Sequence, residues 1–118
     1  MIWVKLGSLL MFLGVTLGAF GAHALKGKVD EYFLDVFKTG VLYHMIHALG
    51  LFTVAWLSTT VSDPRIAWAG ILMIAGIILF SGSLYIMTFT GIRAFGAVTP
   101  LGGLCFLAAW LILFLIKI

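Results

Sequence analysis

Four runs of about twenty mainly apolar residues, with almost every charge confined between them, constrain this chain more than any motif does. About twenty such residues suffice to cross the hydrocarbon core of a bilayer. The first run, residues 6–25, holds no Lys, Arg, Asp or Glu. The second, 41–57, ends at Ser58-Thr59-Thr60 and Ser62-Asp63-Pro64. The third, about 66–90, stops at Gly91, and the fourth, about 97–116, is anchored by Lys117. Only 9% of the 118 residues are charged and 64% are hydrophobic, whereas a soluble domain is roughly 25% charged. A soluble chain this short could not hide so much apolar surface. The expected fold is all-α, an integral membrane four-helix transmembrane bundle, with residues 1–118 forming one domain.

The formal charge of +3 does not indicate nucleic acid, because the seven basic residues stand in or beside span boundaries. There they serve orientation and headgroup contact. Lys5, Arg65 and Lys117 flank one side of the membrane, and Lys26, Lys28, Lys38 and Arg93 the other. Three against four leans towards both termini outside. Cys105 is the single cysteine, inside an apolar run, and is read as a small buried hydrophobe.

Two segments admit rival readings. Lys5, an apolar stretch and Ala22-His23-Ala24 resemble a cleavable signal peptide over residues 1–24. Span length and the Gly14-x-x-x-Gly18-x-x-x-Ala22 spacing favour a retained helix, since small residues at that interval let helices approach closely in lipid. The same face is a candidate homo-oligomer interface, although packing within the bundle is preferred. The connection 26–40 places Val29, Phe33, Val36, Phe37 and Gly40 at helical spacing. It reads as an amphipathic connector lying at the interface, or as an extension of the second span, with orientation as its role.

The polar residues collect towards the side holding the first and third connections. His23 lies near the end of the first span, and Tyr43, His44 and His47 near the start of the second. Ser81, Tyr85 and Thr88 make one stripe on the third span, and Thr99 opens the fourth. Polar groups facing hydrocarbon are costly, so these stripes are expected to turn inward, into one pocket in one leaflet. Thr99-Pro100 fits a helix N-cap followed by proline at the first helical position. Gly82, Gly102 and Gly103 are read as close-packing positions, and Trp3, Trp56, Trp68 and Trp110 as an aromatic belt near the span ends. His23 and His47 could ligate a metal or haem, but no Cys or carboxylate lies at their depth, and no cofactor is named.

In order, Gly18-Ala-Phe-Gly-Ala-His-Ala-Leu25, Tyr43-x-x-x-His47-Ala-Leu, Phe80-Ser-Gly-Ser-Leu-Tyr85, Thr99-Pro-Leu-Gly-Gly103 and Trp110 resemble the small membrane-protein family known as domain of unknown function 423. That family is similar to transmembrane protein 256 of animals. The resemblance covers nearly the whole chain and implies a four-span protein of bacterial inner membranes, without bringing an activity. Its pattern matches His23, Tyr43, His47, Ser81, Tyr85, Thr99 and Pro100, whereas His44 lies outside it.

The expected function is a binding or accessory protein whose His/Tyr/Ser pocket takes a small ligand or lipid headgroup. The alternatives are a small oligomeric transporter or proton pathway, a structural or assembly protein without ligand, and a haem- or metal-binding redox protein. No nucleophile–base pair, phosphate loop or carboxylate dyad is present, which weighs against an enzyme. Membrane lipid is the one expected partner, with a second copy of the chain as a candidate and protein partners unspecified.

Overall fold

The computed structural model describes all residues from Met1 to Ile118. Four helices are long and apolar enough to cross a membrane: α1, Ile2–Leu25; α2, Glu31–Thr60; α3, Arg65–Thr90; and α4, Arg93–Leu115. There are no strands. Backbone groups in hydrocarbon must be satisfied within their own segment, and a helix achieves this.

The connection 26–40 shrinks to a turn at 26–30, because residues from Glu31 onward belong to α2. The physical cause is Phe37, which is fully buried and packs on α1 at Gly21 and on the rings of Tyr85 and Phe89 in α3. The apolar face of that segment therefore serves the bundle and not the membrane surface. At 30 residues α2 is about 45 Å long, more than the roughly 30 Å hydrocarbon core needs. Its first turns carry the charged Glu31, Asp35 and Lys38, where the surplus length lets charge stay out of such a core.

Helix α1 packs on α2, α2 on α3, and α3 on α4. The two middle helices bury 56% and 44% of their most apolar windows, against 11% and 17% for α1 and α4, so the outer pair meets lipid over most of its surface. The α1–α2 seam is made by glycines. A Cβ at Gly14 would stand 2.9 Å from Met45 Cγ, and one at Gly18 would stand 2.9 Å from Val41 Cγ1. Gly7 and Gly21 face Ala48 and Phe37 of the same helix. The Gly14/Gly18 face thus lies inside the bundle.

Polarity divides along the helices. Towards the second connection and the C-terminus, the interior is apolar: Leu51, Val54 and Leu57 of α2 meet Ile66, Ala69 and Met73 of α3 and Ala109 of α4. Trp3 reaches across from α1 to cover Gly70 of α3. Towards the first and third connections, the interior holds the buried polar groups His44, His47, Ser81, Ser83 and Thr88.

Two helices contain a π-helical turn, Leu17–Gly21 in α1 and Ile77–Ser81 in α3. Ala22 and Gly82 close them, each donating its N–H to the carbonyl five residues back, Leu17 and Ile77 respectively. Such turns are uncommon and often mark functional positions. Gly82 meets only the Ile77 carbonyl, at 3.9 Å, so it is not the close-packing position expected of it. Helix α3 ends at Gly91, whose φ of 70° supplies the left-handed residue that commonly terminates helices.

Candidate functional site

The polar side chains do not form one pocket. They form pairs that tie each helix to its neighbour. His44 Nε2 lies 2.8 Å from the Leu10 carbonyl of α1, and its Nδ1 lies 2.9 Å from the Tyr85 hydroxyl of α3. A carbonyl only accepts, so Nε2 carries the proton, and in the neutral ring Nδ1 accepts from Tyr85. One imidazole thereby fastens three helices. Gly14 makes room for it, lying next to His44 Cδ2 where a side chain would intrude.

His47, three residues on, faces elsewhere. Its Nδ1 donates to the Tyr43 carbonyl at 2.7 Å, and its Nε2 accepts from the Trp110 indole N–H of α4 at 2.9 Å. Phe106 stacks on the ring, 3.5 Å between centroids and 8° between planes. An indole nitrogen can only donate, which fixes the His47 tautomer. Both ring nitrogens of each buried histidine are therefore already engaged.

The remaining polar residues follow the same rule. Ser81 donates to the Gly40 carbonyl of α2 at 2.6 Å, Ser83 pairs with Thr99 of α4 at 2.6 Å, and Thr88 donates to Leu84 and Phe33 carbonyls. Thr99 is not the expected N-cap. The 3-10 turn Arg93–Ala97 runs directly into the helix, its N–H groups are met by backbone carbonyls, and the Thr99 hydroxyl is left for Ser83. His23 does not join the others: it is exposed near the end of α1 and makes no hydrogen bond within the protein. His23 and His47 stand on different helices, and no group of three His, Cys, Asp or Glu side chains that could hold a metal ion assembles.

A groove opens between α2 and α4, with Phe80 of α3 also lining it. Its volume is about 610 Å³. Tyr43, Ile46 and His47 line one wall, and Pro100, Gly103, Leu104, Phe106, Leu107 and Trp110 the other. It follows α4 from Pro100 to Trp110, about 15 Å along the axis. The rings form one connected set: Tyr43 and Phe80 lie 4.7 Å apart, Phe80 and Phe106 5.6 Å, and His47 and Trp110 5.8 Å. No charged side chain lines the groove. The Tyr43 hydroxyl is its one polar group without a protein partner; the backbone of that residue, not its side chain, holds His47.

Five of the groove residues were not singled out as site residues in the sequence: Ile46, Phe80, Pro100, Leu104 and Leu107. Phe106 and Trp110 were likewise missed as site members, and Trp110 is more than a belt residue because its indole is the partner of His47. Gly102 lets α4 approach α3 so closely that a Cβ there would strike the Phe80 backbone nitrogen, while the neighbouring Gly103 faces the groove.

Comparison with known proteins returns one family, described as "Protein of unknown function (DUF423)", over residues 17–103. The chain is 51% identical over 113 residues to the UPF0382 membrane protein YwdK of Bacillus subtilis (strain 168), covering 95% of this chain and 92% of that protein. It is 46% identical over 112 residues to the UPF0382 membrane protein SH2409 of Staphylococcus haemolyticus, covering 95% and 91%. A similar protein of Staphylococcus aureus (strain bovine RF122 / ET3-1) is 43% identical over 112 residues, again covering 95% and 91%. No solved structure matches.

Proposed function

The chain belongs to the DUF423 family of membrane proteins, and on that premise we propose that it is a binding protein for a molecule dissolved in the bilayer. The observation that carries this reading is the groove between α2 and α4. It is large, apolar and open sideways to lipid, and it lies beside a set of polar residues already engaged with one another. Ligand sites are commonly concave and mostly apolar, with a few placed polar groups. The His/Tyr/Ser residues then hold the walls in place, and the ligand meets rings and aliphatic side chains.

The same proposal sets the protein in a bacterial inner membrane with both termini outside. Four basic residues, Lys26, Lys28, Lys38 and Arg93, flank the side of the first and third connections, against three on the other. The relatives are bacterial proteins named for the membrane, which supports that setting.

Native mass spectrometry of the protein released from mild detergent tests the reading. Gly103→Leu fills the groove at a position where an added Cβ meets only Phe80 Cδ2, at 3.9 Å. The expected result is a bound mass on the native chain that Gly103→Leu loses and His23→Ala keeps. A chain with no bound mass, or one whose bound mass Gly103→Leu leaves unchanged, would overturn it.

A further inference from the structure

We infer that the molecule taken by the α2–α4 groove is recognised through a neutral, flat, carbonyl-bearing conjugated ring of the quinone type, carried on an apolar tail, with the Tyr43 hydroxyl donating to the carbonyl. This rests on the groove being a ligand site and adds the class of ligand.

Three observations converge on that chemistry. The first is the hydroxyl of Tyr43, a half-exposed side chain lining the groove whose oxygen no protein group engages. A hydroxyl left without a partner there costs free energy, and an acceptor on the ligand removes that cost. Because α2 begins on the side of the first connection, the side chain of Tyr43 leans towards that side, as side chains on a helix lean towards its N-terminus. The donor is thus near the outer end of the groove and the apolar length lies deeper, which suits a polar ring leading an apolar tail.

The second is the absence of charge. No Lys, Arg, Asp or Glu lines the groove, and both nitrogens of His47 are engaged. A phosphate or carboxylate would enter without a counter-charge at low dielectric, so the recognised group is neutral. A phospholipid headgroup does not meet that condition.

The third is the ring surface. Tyr43 and Phe80 present two aromatic rings 4.7 Å apart, with Phe106, itself buried and stacked on His47, behind them. Aromatic faces gain from offset stacking or edge contact with a further ring, a gain that a flexible acyl chain does not share. A saturated lipid chain would be served equally by Leu and Ile, as on the outer faces of α1 and α4.

The test titrates the full chain in detergent with a decyl-substituted benzoquinone, with decylbenzene as a ring of equal tail lacking carbonyls, and with a brominated phosphatidylglycerol as an acyl-chain probe. Retention is read by native mass spectrometry. Tyr43→Phe removes only a hydroxyl that holds nothing in the protein, so its circular dichroism and thermal unfolding should match the native chain. The expected result is benzoquinone retention that weakens about three- to tenfold in Tyr43→Phe, the worth of one hydrogen bond, and disappears in Gly103→Leu. Decylbenzene should bind more weakly and ignore Tyr43→Phe. Benzoquinone binding unchanged in Tyr43→Phe, or decylbenzene binding equally well, overturns the ring-and-carbonyl inference while the groove remains a ligand site. Retention of the brominated lipid alone does the same and names an acyl chain as the occupant. Failure of all three probes to bind sinks the inference and the groove reading together.

Discussion

The Tyr85 hydroxyl stands 2.9 Å from His44 Nδ1, joining α3 to α2 through a ring whose other nitrogen already holds α1 at the Leu10 carbonyl. Interhelical hydrogen bonds in membranes average about 0.6 kcal/mol and reach roughly 1.7. His44→Ala removes two of them and leaves a cavity, so a loss of about 2–4 kcal/mol is expected in detergent-to-SDS unfolding. A double-mutant cycle with Tyr85→Phe should return a coupling of about 0.6–1.7 kcal/mol. His23→Ala, at an exposed and unbonded position, should stay within about 0.5 kcal/mol of the native chain. A zero coupling would mean that the two side chains do not meet in the membrane.

Trp110 makes a second prediction, readable by spectroscopy. Its indole N–H is engaged by His47 Nε2, whereas those of Trp56 and Trp68 hydrogen-bond no protein group. In micelles, the Trp110 indole proton should exchange with deuterium more slowly than those two, and His47→Phe should abolish the difference. Trp110→Phe should cost about 1 kcal/mol, the order of one such bond.

At Gly102 a Cβ would collide with the Phe80 backbone nitrogen and Cα, which cannot swing aside as a side-chain tip can. Gly102→Ala should therefore separate α4 from α3 and destabilise the protein by about 1–3 kcal/mol, the range for overpacking. Gly103→Ala, one residue on and facing the groove, should leave thermal unfolding nearly unchanged. Equal effects at the two glycines would contradict the observed rotation of α4.

The connection between α2 and α3 gives a pH prediction. Arg65 donates from Nε and Nη2 to the Asp63 carboxylate, the shorter contact being 2.7 Å, and holds that carboxyl below its ordinary value of 3.8. A lowered folded-state value means that the pair stabilises the fold fully above the ordinary value and loses this as pH falls through the lowered one. Asp63→Asn should thus show a small, constant offset in melting temperature from pH 8 to about 5, closing only in stronger acid. The offset is small because the pair is exposed.

The span count, the helical class and the gathering of polar residues on one side were legible because they depend on residue type and spacing alone. Which polar residues meet was not. His44 and His47 are three apart and share a face by helical arithmetic, yet one turns to Tyr85 and Leu10 and the other to Trp110. A rotation of some 60° is enough to send two neighbouring rings to different helices. The Leu10 partner is a backbone carbonyl, which no side-chain pattern reveals. His23 shares a plausible depth with the others, but lies beyond the glycine seam, where α1 turns it outward. The groove escaped notice because its walls are Phe, Leu and Ile, the residues that a membrane helix carries everywhere.

The π turn of α3 has a consequence for the shape of the whole bundle. Met73, Ser81 and Tyr85 all address α2, touching Gly50, Gly40 and Gly40 with His44 in turn. Across those twelve residues, an unbroken α-helix would rotate about 120° beyond three full turns, carrying its contact stripe off α2 and round towards lipid. The wider turn at Ile77–Ser81 absorbs part of that precession. It works as a vernier: two helices stay in phase along their length, each keeping the same face turned to the other.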